Sequence, residues 1–463
     1  MKLIETIFEE RILYELSKLG SNLLNGFIIT TSNDVLKIIS DDSIKKAMFY
    51  LYKRHPLLQC HIHKTKFLKK IYFAVPENNE ERKSIQDMKF EKVKIESRNE
   101  LVNLLEKFDA ELFDYDNKCL MFKLRVFEWK QNDKIAFVFS ITVPHCISDG
   151  INITTLCIEF VNILNSILQN KECNEMSEHL NVIDTFENLI ETSNIITDEM
   201  VERYRQRKKE KVAIFRSPEK LANISVDAGA KINLLLFDEV STKKLIGYAK
   251  ANQIKLNSVF TVAMLNSFKE LYKENDIEFP KDLNLFLPVS LRHRLKPSID
   301  NSNVRICVLG DFLTIRNFGE CKNLIEEARN VGNLLNADLN DGLIYDLMLD
   351  QFLKFARKAM EYIGLNLVNK FLPFIFPSNY GLSNIGTYAT DMQKVIDGPL
   401  EIEEIYFGDI SGGIVSIYSL CLFVLTFNNK LMFRLSTNRK LFDSHYSDRF
   451  MVLFEQKLKN FLD

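Results

Sequence analysis

Glycine and proline are scarce in this sequence, at 16 and 10 of 463 residues. Their scarcity excludes collagen-like architecture, long flexible linkers and low-complexity repeats. A cationic excess is missing as well. Sixty Lys and Arg face 62 Asp and Glu, for a formal charge of −2, whereas a dedicated nucleic-acid binder needs a clear basic surplus. The eight cysteines (60, 119, 146, 157, 173, 307, 321 and 421) form no CxxC pair and no zinc-ligand spacing. No disulfide framework and no metal site are therefore expected, and a reduced, cytoplasmic protein with free thiols is. The opening MKLIETIFEERILYELSKLG mixes charges with apolar residues at helical spacing and lacks the uninterrupted apolar core of a signal peptide. No GxxxxGK[ST] phosphate loop is present.

One apolar stretch is as long as a membrane span. Residues 410–429 carry no charge, but they contain Ser411, Gly412, Gly413, Ser416, Ser419 and Thr426 and end in Asn428-Asn429-Lys430 before LMFRLST. That pattern predicts two buried strands closing in a hairpin rather than a transmembrane helix.

The composition is otherwise that of a large globular protein, 46% hydrophobic with 35 Phe. The length predicts two domains of about 200 residues each. Strand and helix signals alternate through both halves, which predicts an α/β fold. The expected division is an N-terminal domain over 1–190, a polar, mostly helical connection over 191–230, and a C-terminal domain over 231–463. The six basic residues within Arg203–Lys211 read as a solvated helix face. Further helices are predicted over Thr242–Asn252, Asn257–Lys273 and Ser447–Leu462, with two long ones between Leu324 and Asn369.

The segment SITVPHCISDG, residues 140–150, carries the sharpest chemical signal. A β-rich run delivers His145 at a strand end, Asp149 follows four residues later, and Gly150 allows a tight turn into a helix. Histidine is the side chain suited to general-base work near neutrality, although the spacing alone also suits a structural histidine. Cys146 invites a Cys/His nucleophile reading, but neighbours on a strand point to opposite faces, so one site cannot easily use both. His61 and His63 alternate to one strand face without a carboxylate or Cys pair beside them, which favours a surface pair over a metal site.

His145-x-x-x-Asp149-Gly150 resembles the HxxxDG motif of the chloramphenicol acetyltransferase-like superfamily, which includes condensation domains, alcohol acetyltransferases and polyketide-associated acyltransferases. Three other landmarks follow the same order. Lys53-Arg54-His55-Pro56-Leu57-Leu58 resembles the end of that superfamily's first long helix. Leu287-Pro288-Val289-Ser290-Leu291-Arg292-His293-Arg294-Leu295 is similar to its PVxxRxRL strand, and Gly381-Leu382-Ser383-Asn384-Ile385-Gly386 to its SNxG strand. The last 45 residues resemble its closing segment.

The resemblance implies two acetyltransferase-like two-layer α/β sandwich domains forming a pseudo-dimer with a central tunnel, and hence a monomer. It implies an acyltransferase that moves an acyl group from a CoA thioester to a hydroxyl or amine acceptor, with His145 as general base and no covalent acyl-enzyme. Acyl-CoA is then a co-substrate, and no bound cofactor is expected. Asp149 takes a structural role paired with Arg292, or in second place Arg294. Ser383 and Asn384 are the oxyanion donors, although polar residues that merely turn a strand end read the same way. Two alternatives stand beside this. One is condensation-type transfer from a carrier protein's thioester, which the absence of an attached carrier or adenylation region disfavours; the other is a non-catalytic binding protein that keeps the fold. Two departures from the superfamily pattern matter. Pro144 replaces the second histidine usual in condensation domains, and Phe407-Gly408-Asp409 lacks the order and the Trp of the plant DFGWG motif.

Overall fold

The computed structural model describes residues 1–18, 23–32, 39–65, 70–77, 82–108, 113–115, 119–131, 134–171, 178–185, 188–189, 197–208, 215, 217–226, 229–295, 298–341, 380–388, 398–409 and 419–462. The chain opens with β1 (Lys2–Glu5), α1 (Phe8–Ser17), β2 (Leu23–Ser32), α2 (Asp41–Arg54), β3 (His61–Lys64) and β4 (Ile71–Val75). It continues through β5 (Phe90–Ile95), α3 (Arg98–Phe108), β6 (Lys123–Gln131), β7 (Lys134–Pro144) and α4 (Gly150–Leu168). Then come α5 (Asp198–Lys208), β8 (Ala230–Phe237), α6 (Glu239–Ala251), α7 (Leu256–Glu274), β9 (Leu283–Ser290), β10 (Val308–Ile315) and α8 (Leu324–Asp341). The last elements are β11 (Tyr380–Thr387), β12 (Leu400–Asp409), β13 (Leu420–Phe427), β14 (Lys430–Asn438) and α9 (Ser444–Lys459). The fold class is thus α/β.

Local chemistry accounts for several boundaries. The Ser40 hydroxyl accepts from Ser43 N at 3.1 Å to cap α2, Asp41 and Asp42 lie in its first turn, and Lys53 and Arg54 in its last. Those charges complement the helix dipole, and Pro56 stops the helix. Asn428 and Asn429 both have positive φ, 47° and 58°, which is the two-residue turn that joins twisted strands; β13 and β14 pair antiparallel on either side of it. The N-terminus departs from the helical reading. Lys2–Glu5 pairs antiparallel with β4, and the helix starts only at Phe8, because a strand partner supplied by tertiary structure overrides local periodicity. The second of the two helices read between Leu324 and Asn369, and residues 410–418, lie outside the described residues.

The chain divides into two compact units, and neither is continuous. The first comprises Met1–Leu189, Arg292–Cys307 and Thr387–Ile410; the second comprises Ile190–Leu291, Val308–Gly386 and Ser411–Asp463. Two segments that the linear division assigned to the C-terminal domain therefore lie in the first unit.

The first unit holds a five-stranded sheet in the order β12-β2-β7-β6-β5 and a three-stranded sheet, β1-β4-β3. Its long helix α4 packs on β2, β7 and β12. Among the described residues it is the one helix long and apolar enough to cross a membrane, and 89% of that window is buried inside the protein; it is a core helix. A polar stripe recurs along it at Asn152, Thr155, Glu159, Asn162 and Asn165, all buried, at the three- and four-residue steps of one helix face. The stripe holds the two late segments. Asn152 Nδ2 donates to Asn301 O and Asn303 O at 2.9 and 3.0 Å, and Thr155 bonds the Tyr388 hydroxyl. Asn165 bonds both the N–H and the carbonyl of Leu400 at 2.9 Å. Buried polar groups must be paired, so a stripe of this kind selects which backbone lies against it.

The second unit is one six-stranded sheet, β10-β9-β11-β13-β14-β8, with α7 packed against both α8 and α9. Its core is aromatic: Phe268 stacks within 4.2 Å of Tyr380 and 4.7 Å of Phe450, ring centre to ring centre, and Phe215 lies 4.7 Å from Tyr380.

Candidate active site

The last strand residue of β7 is Pro144, and the chain leaves it through a single 3-10 turn, His145–Ile147, before α4 begins at Gly150. Gly150 is an ordinary first helical residue. Its φ is not among the positive values, so the expected tight turn is made upstream of it, by the backbone bond from Ser148 N to His145 O at 3.3 Å.

His145 is half-buried, and its Nδ1 lies 2.8 Å from the carbonyl oxygen of Ser148. A carbonyl only accepts, so in the neutral ring Nδ1 carries the proton and Nε2 the lone pair. The ring is thereby held in the tautomer that a general base needs. The neighbouring Cys146 is fully buried, and burial pushes its thiol well above the ordinary range. It is a packed thiol and not a nucleophile.

Asp149 turns the other way. At 2% exposure it caps α4, Oδ1 accepting from Asn152 N at 3.0 Å. Oδ2 accepts from Arg292 Nη2 and from Cys307 N, both at 3.0 Å. Arg292, wholly buried, lies just past the end of β9 rather than on the strand. Its Nη1 donates to Asp300 O and Asn303 O at 2.9 and 3.1 Å. Nη2 also reaches Asn152 Oδ1 and Arg305 O, both at 2.8 Å. Burial alone would lower the guanidinium pKa, but the adjoining Asp149 carboxylate outweighs it and the pKa is raised, so the guanidinium stays charged. Arg292 and Cys307 are the first and last residues of the late segment 292–307. One carboxylate therefore ties both ends of that excursion to the start of α4.

Sequence reasoning missed the rest of this network. Asn152 Oδ1 also accepts from Arg305 N at 3.1 Å. The Arg305 guanidinium forms a second buried pair, its Nε 2.8 Å from Glu10 Oε1 and its Nη2 3.2 Å from Oε2. Glu10 Oε2 accepts from Ile7 N at 2.9 Å at the start of α1. Glu10 and Arg305 stand 295 positions apart, a separation at which no local pattern betrays the pairing. His55, read as a helix-end residue, does end α2, but it is buried with Nε2 2.5 Å from Glu159 Oε2.

The predicted oxyanion donors lie in the second unit, on β11. Ser383 is buried and Asn384 half-buried, and successive strand residues face opposite sides, so the two do not share a face. Asn384 Oδ1 accepts from Gly386 N at 2.8 Å, and its Nδ2 donates to Asn257 Oδ1 at 3.3 Å. Gly386 has φ +81°, a conformation that glycine adopts without steric cost.

Residues 228–382, about a third of the chain, match the family model described as "Phthiocerol/phthiodiolone dimycocerosyl transferase C-terminus". No curated protein matches the sequence. Solved structures similar over the whole chain include the trichothecene 15-O-acetyltransferase from Fusarium sporotrichioides, with TM-score 0.68, 14% identity and coverage of 99% of this chain and 94% of that one. The condensation domain of the Monacolin K polyketide synthase has TM-score 0.65 at 10% identity, covering 100% and 98%. An epimerization domain of tyrocidine synthetase B has TM-score 0.65 at 10% identity, covering 100% and 96%. The motif resemblance therefore stands for the fold: this chain has the chloramphenicol acetyltransferase-like architecture of acyltransferases and condensation domains. That one architecture serves acetyl transfer, condensation and epimerization, so chemistry must be argued from the site.

Proposed function

We propose that the protein is an acyltransferase that moves an acyl group from a CoA thioester to a hydroxyl acceptor, with His145 as general base. The observation that carries the reading is the half-exposed His145 ring whose Nδ1–H is committed to Ser148 O, leaving Nε2 as the basic atom. In this mechanism Nε2 takes the acceptor's proton as its oxygen attacks the thioester carbonyl. The tetrahedral intermediate then collapses, the C–S bond breaks, and the leaving thiolate recovers the proton from the imidazolium. No acyl-enzyme forms. Asp149 holds the turn that presents His145. The acetyltransferase and transferase-family likenesses support acyl transfer in general.

The likeness to a polyketide synthase condensation domain supports a second reading with the same chemistry, in which the donor is a carrier-bound thioester. A partly exposed ring at position 145 weighs against a silent binding protein, for which a ring packed solid is expected.

Thiol release tests the proposal. The protein is incubated with acetyl-, octanoyl- or palmitoyl-CoA and a panel of alcohols and amines, with His145→Ala alongside. Release that requires both acceptor and His145 is expected. Release only from an acylated carrier selects the second reading, and no release from either donor overturns both.

A further inference from the structure

Helix α1 packs against the 3-10 turn that carries His145, and both belong to the first unit. Two buried side chains fix where that helix begins. Glu10, with no exposure, accepts from Ile7 N through Oε2 and from the Arg305 guanidinium through both oxygens, at 2.8 and 3.2 Å. Arg305 also donates to the carbonyl of Glu5 at 2.9 Å and to that of Ile183 at 2.8 Å. Its own backbone reaches the other side of the turn. Arg305 N donates to Asn152 Oδ1, and Arg305 O accepts from Arg292, the partner of Asp149. The far end of α1 is tied too, the Ser17 hydroxyl lying 2.7 Å from that of Tyr115. The turn 145–147 is therefore gripped from two sides, by Asp149 at the start of α4 and by α1, and Arg305 belongs to both grips.

We infer that Glu10 is a positioning residue, which through α1 keeps the turn in the shape that binds His145 Nδ1–H to Ser148 O. The inference deepens the acyl-transfer reading above and rests on it. The bond from Nδ1 to the Ser148 carbonyl spans three residues, so it survives only while the backbone of the turn keeps its curvature. Burial first, then Cys60 and the Glu10 carboxylate, raise the thiol of Cys146 in the middle of the turn, so that carboxylate lies within electrostatic reach of it. Apolar packing of α1 alone would let the helix shift by fractions of an ångström, since its contacts are many and individually weak. Charge-assisted bonds of fixed direction do not allow that shift. Misplacing a reacting group by about 1 Å is enough to cost about 100-fold in rate.

The double variant Glu10→Met/Arg305→Met tests this in the full chain, because replacing both partners of a buried pair by apolar residues of similar volume leaves no charge stranded. Thermal unfolding near that of the wild type is expected, with kcat for thiol release lower by roughly 10- to 100-fold and KM little changed. Glu10→Gln, which retains an acceptor for Ile7 N and loses the charge, should show a smaller loss of the same kind. A second readout needs no turnover. Long-range nitrogen spectra of protein isotopically labelled at histidine, with His145→Ala to identify the signal, should show the Nδ1–H form in the wild type and a mixture of both tautomers in the double variant. Wild-type kcat and tautomer in the double variant, or activity that falls only in step with unfolding temperature across both variants, overturns the role of Glu10 and leaves acyl transfer intact. A wild-type protein that releases no thiol, from CoA or carrier, removes acyl transfer, and the tautomer in the double variant then decides the role of Glu10 by itself.

Discussion

The two units differ in what their interiors add to ordinary apolar packing. In the first, buried carboxylates and guanidinium groups face each other at Asp149–Arg292 and Glu10–Arg305, each member at 3% side-chain exposure or less. In the second, rings pack on rings around Phe268, with Tyr380, Phe450, Phe442 and Phe215 all within 6.4 Å. Aromatic packing tolerates small displacements, since its attraction is spread over many weak contacts. A charge network does not, because each missing bond leaves a desolvated group unpaired. The unit that presents His145 carries this charge network beside an apolar core with ring pairs of its own, Phe27–Tyr406 and Phe139–Phe160, and the network fixes the backbone around the histidine to within hydrogen-bond tolerances.

Breaking the comparison at its functional end should have the largest effect. His145→Ala is expected to lower kcat by about 10²–10⁴-fold with an unchanged unfolding temperature, because its ring makes a single hydrogen bond among the described residues. A large thermal shift would instead mark His145 as part of the scaffold.

Asp149→Ala should do the reverse. It strands the Arg292 guanidinium and two backbone N–H groups, at a cost of about 3–5 kcal/mol, and activity should fall in step with stability in denaturant unfolding. Phe268→Ala, at the centre of the aromatic core, is expected to cost a similar ~3–5 kcal/mol by leaving a cavity. The two differ in repair: a bulky aliphatic at 268 should recover much of the loss, whereas no apolar residue at 149 should. Equal rescue at both sites would erase the distinction drawn here.

A smaller effect is expected at Gly398. A β-carbon there would lie 2.4 Å from the Asn165 side chain, so Gly398→Ala must dislodge the bonds that Asn165 makes to Leu400. A loss of about 1–3 kcal/mol is expected, visible as faster hydrogen exchange along β12.

The smallest effect concerns the thiols. Burial raises those of Cys60, Cys146 and Cys157, and pushes Cys307 up to about 12. Alkylation of the native protein should therefore label Cys119 and Cys321, which are partly exposed, before any of these four. Mass spectrometry of the labelled peptides decides it, and early labelling of Cys146 would revive the nucleophile reading.

Much of this protein was legible before its structure. The strand delivering His145, the helix opening at Gly150, the β13–β14 hairpin and the α/β alternation all rest on periodicity, turn chemistry and caps within a few residues of one another, where sequence distance and spatial distance agree. The four motif landmarks added the fold and the candidate residues His145, Asp149, Arg292, Ser383 and Asn384. Only the tertiary structure decided which late segments complete the first unit, that Arg292 and Cys307 meet on one carboxylate, that Glu10 answers Arg305, and that Asn257 holds Asn384. It also took the first strand out of a helical pattern and separated Ser383 from Asn384 by strand alternation. The physical reason is the same in each case. A polar group taken out of water must find its partner wherever the folded chain puts one, and that choice is made in space rather than along the sequence.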